Sequence, residues 1–227
     1  MAGTNTGTKL TNSNINVNKL KFDLANKSIK YPLLLSPKLD GHKLIIKNGE
    51  ILTKGGKHPK NKKVEELLEE ICHISRKEEF VFEGEFYKMG SKGLHEITSD
   101  IQKDGKDVSM YKLYIFDGVR MDEYAYTYAY KHKIPRFIDR YKRLEGILQK
   151  TNVNLNSCYV LLPQILVKNW KEAYEYMCEY IYVHNYEGII LRSEHDMYLS
   201  NKYKYWKNRK AGHLKMYKFR KEMYINK

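Results

Sequence analysis

Cysteine is scarce in this chain: Cys72, Cys158 and Cys178 are the only 3 in 227 residues. Their spacing forms neither a metal-ligand pair nor a disulfide framework, which excludes a disulfide-stapled scaffold and fits a reducing, intracellular setting. No apolar run approaches the roughly 18 residues that a transmembrane helix needs. No membrane partner is therefore expected. The N-terminus lacks the hydrophobic segment of a signal peptide. No internal repeat is apparent. Acidic residues are also in short supply: 27 Asp and Glu against 41 Lys and Arg leave a formal net charge of +14. A surplus of this size points to a polyanionic partner, with DNA or RNA the natural candidate. The plain alternative is the composition of a low-GC genome, because Lys, Asn, Ile and Tyr are all plentiful.

The length suits one large domain or two small ones. Residues 1–17 are rich in Thr, Asn and Gly and read as a mobile N-terminal tail, with a single domain over 18–227. Strands are expected at 31–35, 43–47, 50–53, 79–87, 111–117, 158–167 and 187–192. Asn48-Gly49, between two apolar runs, is the signal of a hairpin with a type I′ turn. Val64, Leu67, Leu68 and Ile71 recur at helical spacing, with Glu65, Glu66, Glu69 and Glu70 on the other side. Further helices are expected over 134–148, through Phe137, Tyr141, Leu144 and Leu148, and over 170–183, through Tyr174, Met177 and Ile181. Hairpins mixed with helices, without regular βαβ alternation, predict an α+β fold with mainly antiparallel sheets. Tyr124, Tyr126, Tyr128 and Tyr130 alternate with small residues; stacking on bases is one reading, and a strand or loop packed on the domain is the simpler one.

Five segments carry chemistry-bearing residues. They are Ser36-Pro37-Lys38-Leu39-Asp40-Gly41-His42-Lys43, Phe82-Glu83-Gly84-Glu85, Tyr114-Ile115-Phe116-Asp117, Glu187-Gly188-Ile189-Ile190-Leu191-Arg192 and Leu214-Lys215-Met216-Tyr217-Lys218. Each has a bland reading alone. Lys38 is a lysine in a lysine-rich chain, Glu83 and Glu85 alternate on one face of an amphipathic strand, Glu187 marks a strand start, and Phe116 is an ordinary core residue.

In this order and spread, the five segments resemble the motifs of covalent nucleotidyltransferases: ATP-dependent DNA ligases, RNA ligases and mRNA capping enzymes. The similarity spans roughly 31–222. It is greatest to the nucleotidyltransferase domain of small viral ATP-dependent DNA ligases, through the Ser-Pro-Lys start, the short hairpin and the stretch from Thr53 to Asn61. The Gly-Thr-Asn that RNA ligases more often carry after the lysine is missing. The resemblance implies the ligase and capping-enzyme (ATP-grasp-like) fold. It also implies a monomer that seals nicked duplex DNA with ATP and a divalent metal, Mg²⁺ or Mn²⁺. Such an enzyme serves replication, repair or recombination in a bacterium, a virus-infected cell or a nucleus. An RNA ligase, a guanylyltransferase and a nucleic-acid-binding module without catalysis are the competing expectations.

Carried over residue by residue, the resemblance makes Lys38 the nucleophile that takes AMP as a phosphoramidate, with pyrophosphate leaving. A free lysine has a pKa of about 10.4, so a nearby cation or metal that disfavours the ammonium form would help it. Ser36 would lie near the adenine edge, and Lys43, where the family usually has arginine, would contact ribose or the nick. Glu85 would bind ribose or metal, with Glu83 supporting the strand. Phe116 would stack on adenine, and Glu187 would hold metal. Lys215 would bind phosphate together with Tyr217 or Lys218, the second lysine being shifted by one place. Lys54, Lys57 and Lys60 would grip the nick; a solvated basic loop is the alternative. The family continues into an OB-fold domain, which is expected to be absent here, either removed or never present.

Overall fold

The computed structural model describes residues 15–126, 135–151, 157–196 and 216–225. Lys215, Tyr128, Tyr130 and residues 1–14 lie outside them.

Two sheets form the frame. The first has four strands in the order β7 (Ile165–Val167), β1 (Leu33–Lys38), β8 (Gly188–Arg192), β9 (Met216–Arg220), with every pairing antiparallel. The second has five, in the order β3 (Glu50–Thr53), β2 (His42–Lys47), β4 (Phe80–Tyr87), β5 (Lys112–Arg120), β6 (Tyr159–Leu161). Its pairings are antiparallel apart from the parallel β5–β6 edge. The fold is the expected α+β class.

Each sheet carries its own core on one face. Leu33, Leu35, Ile189, Leu191 and Phe219 alternate along the first sheet and pack on α1 (Val17–Leu24) and α7 (Trp170–Tyr182), through Leu20, Leu24, Ala173 and Met177. Leu44, Ile46, Phe80, Phe82, Phe86 and Leu113 do the same on the second sheet. They meet α2 (Lys62–Leu67), α3 (Glu69–Lys77), α4 (Leu94–Gln102) and α6 (Phe137–Gln149). Period-two alternation therefore puts a second set of side chains on the opposite face of each sheet. Those two faces meet: Arg192 of β8 reaches Asp117 of β5 at 3.1 Å.

Several expectations are corrected. The strand read at 158–167 is two short strands, β6 and β7, in different sheets; Pro163 lies between them and cannot donate to a ladder. The single helix read through Val64 and Ile71 breaks at Leu68 into α2 and α3. The tail expectation is too long: Ile15 forms a bridge with Ile225, and the Asn16 side chain caps α1 by accepting from the Lys19 amide at 2.9 Å. Tyr124 lies in a short helix, α5 (Met121–Tyr126), not in a strand or loop, and packs on Ile45, Val81 and Val119. Helix α4 escaped the periodicity reading because only Ile97 and Ile101 are buried on it.

The Asn48-Gly49 hairpin is present, with φ of 50° and 76° at the two residues, as a type I′ turn requires.

Candidate active site

Lys38 ends β1 and the chain then changes sheets, since His42 begins β2. Gly41 makes that passage possible: a Cβ there would fall 2.6 Å from Glu85 Cγ and 2.7 Å from the Phe86 carbonyl. Steric room, rather than a special φ, explains the glycine of the Lys-x-Asp-Gly run. Gly188, opposite Lys38 on β8, is required more strongly, because a Cβ there would meet the Phe219 carbonyl at 1.9 Å.

The register of the first sheet sorts its side chains. Ser36 pairs with Ile190, Ile190 with Lys218 and Lys38 with Gly188, so Ser36, Lys38, Arg192, Lys218 and Arg220 share the face turned to the second sheet. Tyr217 points the other way, packs on the core and donates from its hydroxyl to the Ser28 carbonyl at 3.1 Å. The question of which residue faces the site is thereby answered: Lys218 does. Partial desolvation, reinforced by Lys38, Arg220, Arg192 and Lys54, lowers the Lys218 pKa although the side chain still reaches solvent.

Lys38 Nζ donates to Glu187 Oε2, and the other oxygen of Glu187 receives Arg220 Nε at 2.8 Å. Both side chains of the Lys38–Glu187 pair are about one-seventh exposed, at 13% and 15%, so the pair is screened but within reach of a ligand. The Glu187 amide also donates to the Lys38 carbonyl at 3.0 Å. Glu187, expected as a metal holder, is thus first of all the partner of the candidate nucleophile.

Across the gap, the second sheet offers Lys43, Glu83, Glu85, Phe116 and Asp117. Lys43 pairs with Glu85 across β2–β4, and its Nζ donates to Glu83 Oε2 at 2.5 Å while lying 5.6 Å from the centre of the Phe116 ring. Glu83 is buried, so it does more than support the strand: it holds Lys43 in place. A β-bulge explains the position of Phe116. Glu83 pairs with Asp117 but Gly84 pairs with Ile115, which leaves Phe116 as the extra residue. Such a bulge turns two successive side chains toward one face. Phe116 and Asp117 both serve the gap as a result. Glu85 has its carboxyl pushed up to about 7, first by burial, then by Glu187; Lys38, Lys43 and Lys218 pull against this without cancelling it.

A charged cluster that the sequence did not disclose lies beside these groups. Asp117 is held by Arg140 in a two-point pair at 2.9 Å each and by Arg192 Nη1 at 3.1 Å. Arg140 also donates to the Pro135 and Asp196 carbonyls at 2.7 and 3.1 Å. The guanidinium of Arg192 lies 4.2 Å from the centre of the Phe137 ring. Burial opposes ionisation of Asp117, but the two arginines and the Gly118 amide prevail and hold its carboxyl below the usual range. One signal was available: Arg140 sits three residues after Phe137 and four before Leu144, inside the apolar stripe of α6. A cation there needs a buried partner.

The basic loop is only partly brought to the site. Lys54, Lys57 and Lys60 are exposed, and Lys54 is close enough to act on Lys218. The loop is fastened by Thr53 accepting from the Lys57 amide at 3.3 Å and by the Lys60 amide donating to the Ile101 carbonyl at 3.1 Å. Among the described residues, no three carboxylate, imidazole or thiol side chains converge as a ready-made metal cage. Asp40 and Glu187 border an open cleft of about 440 Å³.

No protein-family model and no curated protein sequence matches this chain. Solved structures do. The Chlorella virus DNA ligase–adenylate superposes with a TM-score of 0.59 at 20% identity, covering 76% of this chain and 59% of the ligase. The ATP complex of the bacteriophage T7 ATP-dependent DNA ligase gives 0.52 at 13% identity, covering 84% and 63%. The ligase domain of LigD from M. tuberculosis gives 0.51 at 16% identity, covering 76% and 52%. The chain therefore spans about three-fifths or less of the length of these three proteins. The fold of this chain is that of the nucleotidyltransferase domain of ATP-dependent DNA ligases.

Proposed function

We propose that this protein is a covalent nucleotidyltransferase that seals nicked duplex DNA with ATP. The observation that carries the reading is Lys38 fixed on Glu187 at the meeting of two sheets, with Lys43, Phe116 and Lys218 around it. A lysine amine can attack the α-phosphorus of ATP. The N–P bond forms, the bond to the β-phosphate oxygen breaks, and pyrophosphate leaves. Glu187 orients the amine by its hydrogen bond. Phe116 supplies a stacking face for adenine, and Ser36 lies buried on the opposite sheet, on the face turned to the gap. Lys43 and Lys218 set positive charge around the phosphates in advance, which favours the charge that builds up during transfer. The AMP then passes to a 5′-phosphate, and a 3′-hydroxyl displaces it.

The carboxylates fit a divalent ion. Burial raises the Glu85 carboxyl to about 7 against the pull of Lys38, Lys43 and Lys218, so a bound cation would favour its charged form. Glu85 and Glu187 would supply two hard oxygen ligands, with water and phosphate oxygens for the rest, which is how Mg²⁺ is usually held. When bound, the ion neutralises phosphate charge.

The test is labelling with ATP against GTP, followed by sealing of nicked DNA against nicked RNA. An acid-labile adduct from ATP and sealing of DNA are expected. A GTP adduct would make the protein a guanylyltransferase, and preference for an RNA nick would make it an RNA ligase. An adduct with neither acceptor would limit the reading to self-nucleotidylation.

A further inference from the structure

We infer that Arg220 is a positioning residue for the proposed reaction: it holds Glu187 by one carboxylate oxygen while Lys38, the partner of the other oxygen, is bonded to AMP. The role rests on the proposed reading of Lys38 as the nucleophile.

The carboxylate of Glu187 has two cations, one on each oxygen. Lys38 Nζ donates to Oε2 and Arg220 Nε to Oε1, the latter at 2.8 Å. Strand pairing brings the arginine there. Arg220 follows Lys218 by two residues on β9, so it shares the face turned to the gap, and it pairs with Gly188, the neighbour of Glu187. Gly188 lets the two strands approach, since a Cβ there would meet the Phe219 carbonyl. The Lys221 amide donates to the Glu187 carbonyl at 2.8 Å and fixes the end of β9 against Glu187.

The two cations differ in permanence. When the N–P bond forms, the Lys38 ammonium gives up two protons to water and becomes a neutral phosphoramidate nitrogen, while the bound AMP brings a negative charge. Oε2 thus loses its cation as an anion arrives. Arg220 takes no part in the covalent chemistry and stays charged, because a guanidinium is not deprotonated in proteins. In the next step an oxygen of the 5′-phosphate bonds to phosphorus, the N–P bond breaks, and the Lys38 nitrogen takes two protons from water. A Glu187 still in place accepts a hydrogen bond from that nitrogen as its charge returns. Before the adduct forms, Lys38 itself holds Glu187. The arginine therefore matters more for discharge of the adduct than for its formation.

The experiment isolates the Lys38 adduct and follows its single-turnover discharge on nicked DNA, beside the rate of adduct formation from ATP. Arg220→Ala is expected to slow discharge roughly tenfold, the size of a lost charge-assisted hydrogen bond, while formation changes much less. Thermal stability should hardly move, since the Arg220 side chain is 45% exposed and such pairs contribute little to a fold. Arg220→Lys keeps a cation near Oε1 and should discharge faster than Arg220→Ala. In a Glu187→Ala background, Arg220→Ala should add little, because the arginine then has nothing to act through. Equal slowing of both steps, no slowing of discharge, or equal rates in the Ala and Lys variants would overturn the role. So would a full further loss in the Glu187→Ala background, which would mean that Arg220 touches phosphate directly. If Glu187→Ala forms no adduct, the split between steps and the Arg220→Lys comparison still decide. A wild type that forms no Lys38 adduct, or whose adduct no nick discharges, would overturn the sealing reading and this role together.

Discussion

Asp117 and Glu85 face the same gap from neighbouring strands, and their surroundings treat their charges in opposite ways. Asp117 lies where Arg192 and Arg140 converge, and its ionised form is favoured despite burial. Glu85 lies nearer Lys38, with cations present but none paired to it as the arginines are to Asp117, and it is pushed up to about 7. The first arrangement is finished: every strong charge has a partner inside the protein, and the result ties α6, β5 and β8 together. The second is unfinished: burial outweighs the pull of Lys38, Lys43 and Lys218, the kind of perturbation that clusters at functional sites. Depth separates the two less than pairing does. Both carboxyls are desolvated, and the arginines decide which one keeps its charge.

The largest effect should follow from breaking the finished cluster. Asp117→Ala leaves the buried Arg140 guanidinium without its carboxylate and Arg192 with only its longer contact to Asp196 at 3.6 Å, and about 3–5 kcal/mol of stability should be lost. Urea unfolding measures it. Replacing the whole set by apolar residues of similar volume should cost much less, because no uncompensated charge remains. Equal losses in the two would mean that the cluster contributes packing rather than charge.

A smaller effect of opposite sign is expected at Glu85. Between its ordinary value of about 4.5 and its raised value of about 7, the folded protein binds more protons at this carboxyl than the unfolded chain does. Stability therefore falls as pH rises through that window. Glu85→Gln removes the fall, so the variant should exceed the wild type by about 1–3 kcal/mol at pH 8 and match it near pH 4. A variant that gains nothing at pH 8 would show that Glu85 is better solvated or paired than its setting implies. If Glu85 also holds the cation, the same variant should need more Mg²⁺ for adduct formation while being the more stable protein.

The smallest effect concerns the basic loop, and it asks how far the unfinished region extends. Lys54 acts on Lys218, whereas Lys57 and Lys60 are linked to β3 and α4 by backbone bonds. Lys54→Ala should lower the log–log salt slope of nicked-DNA binding by about one unit, and Lys60→Ala by less. Equal slopes in both variants and the wild type would return the whole loop to solvent.

Much of this was legible in the sequence, for physical reasons that also mark where legibility stopped. Residues that act through local spacing were readable: Lys38 with its Asp-Gly, the Asn48-Gly49 turn, and Glu83 and Glu85 on one side of a strand. Lys218 was half-readable, because a two-residue period separates it from Tyr217 but the direction is set only by pairing with Ile190. Phe116 stood out in the sequence, yet the bulge that turns both it and Asp117 to the gap depends on the register with β4. The Asp117–Arg140 pair joins residues 23 apart and the Asp117–Arg192 pair residues 75 apart, and no local pattern encodes such distances. The break at Pro163 was visible as a proline, but the assignment of β6 and β7 to different sheets was not.

The most direct test of the central claim is the chemical address of the nucleotide. The protein is incubated with ATP and Mg²⁺, digested, and its peptides are weighed. One AMP on Lys38, lost in acid and absent from Lys38→Ala, is the result that the unfinished site predicts. AMP on Lys43 or elsewhere, or no covalent nucleotide at all in a protein that is folded and binds nicked DNA, would contradict it.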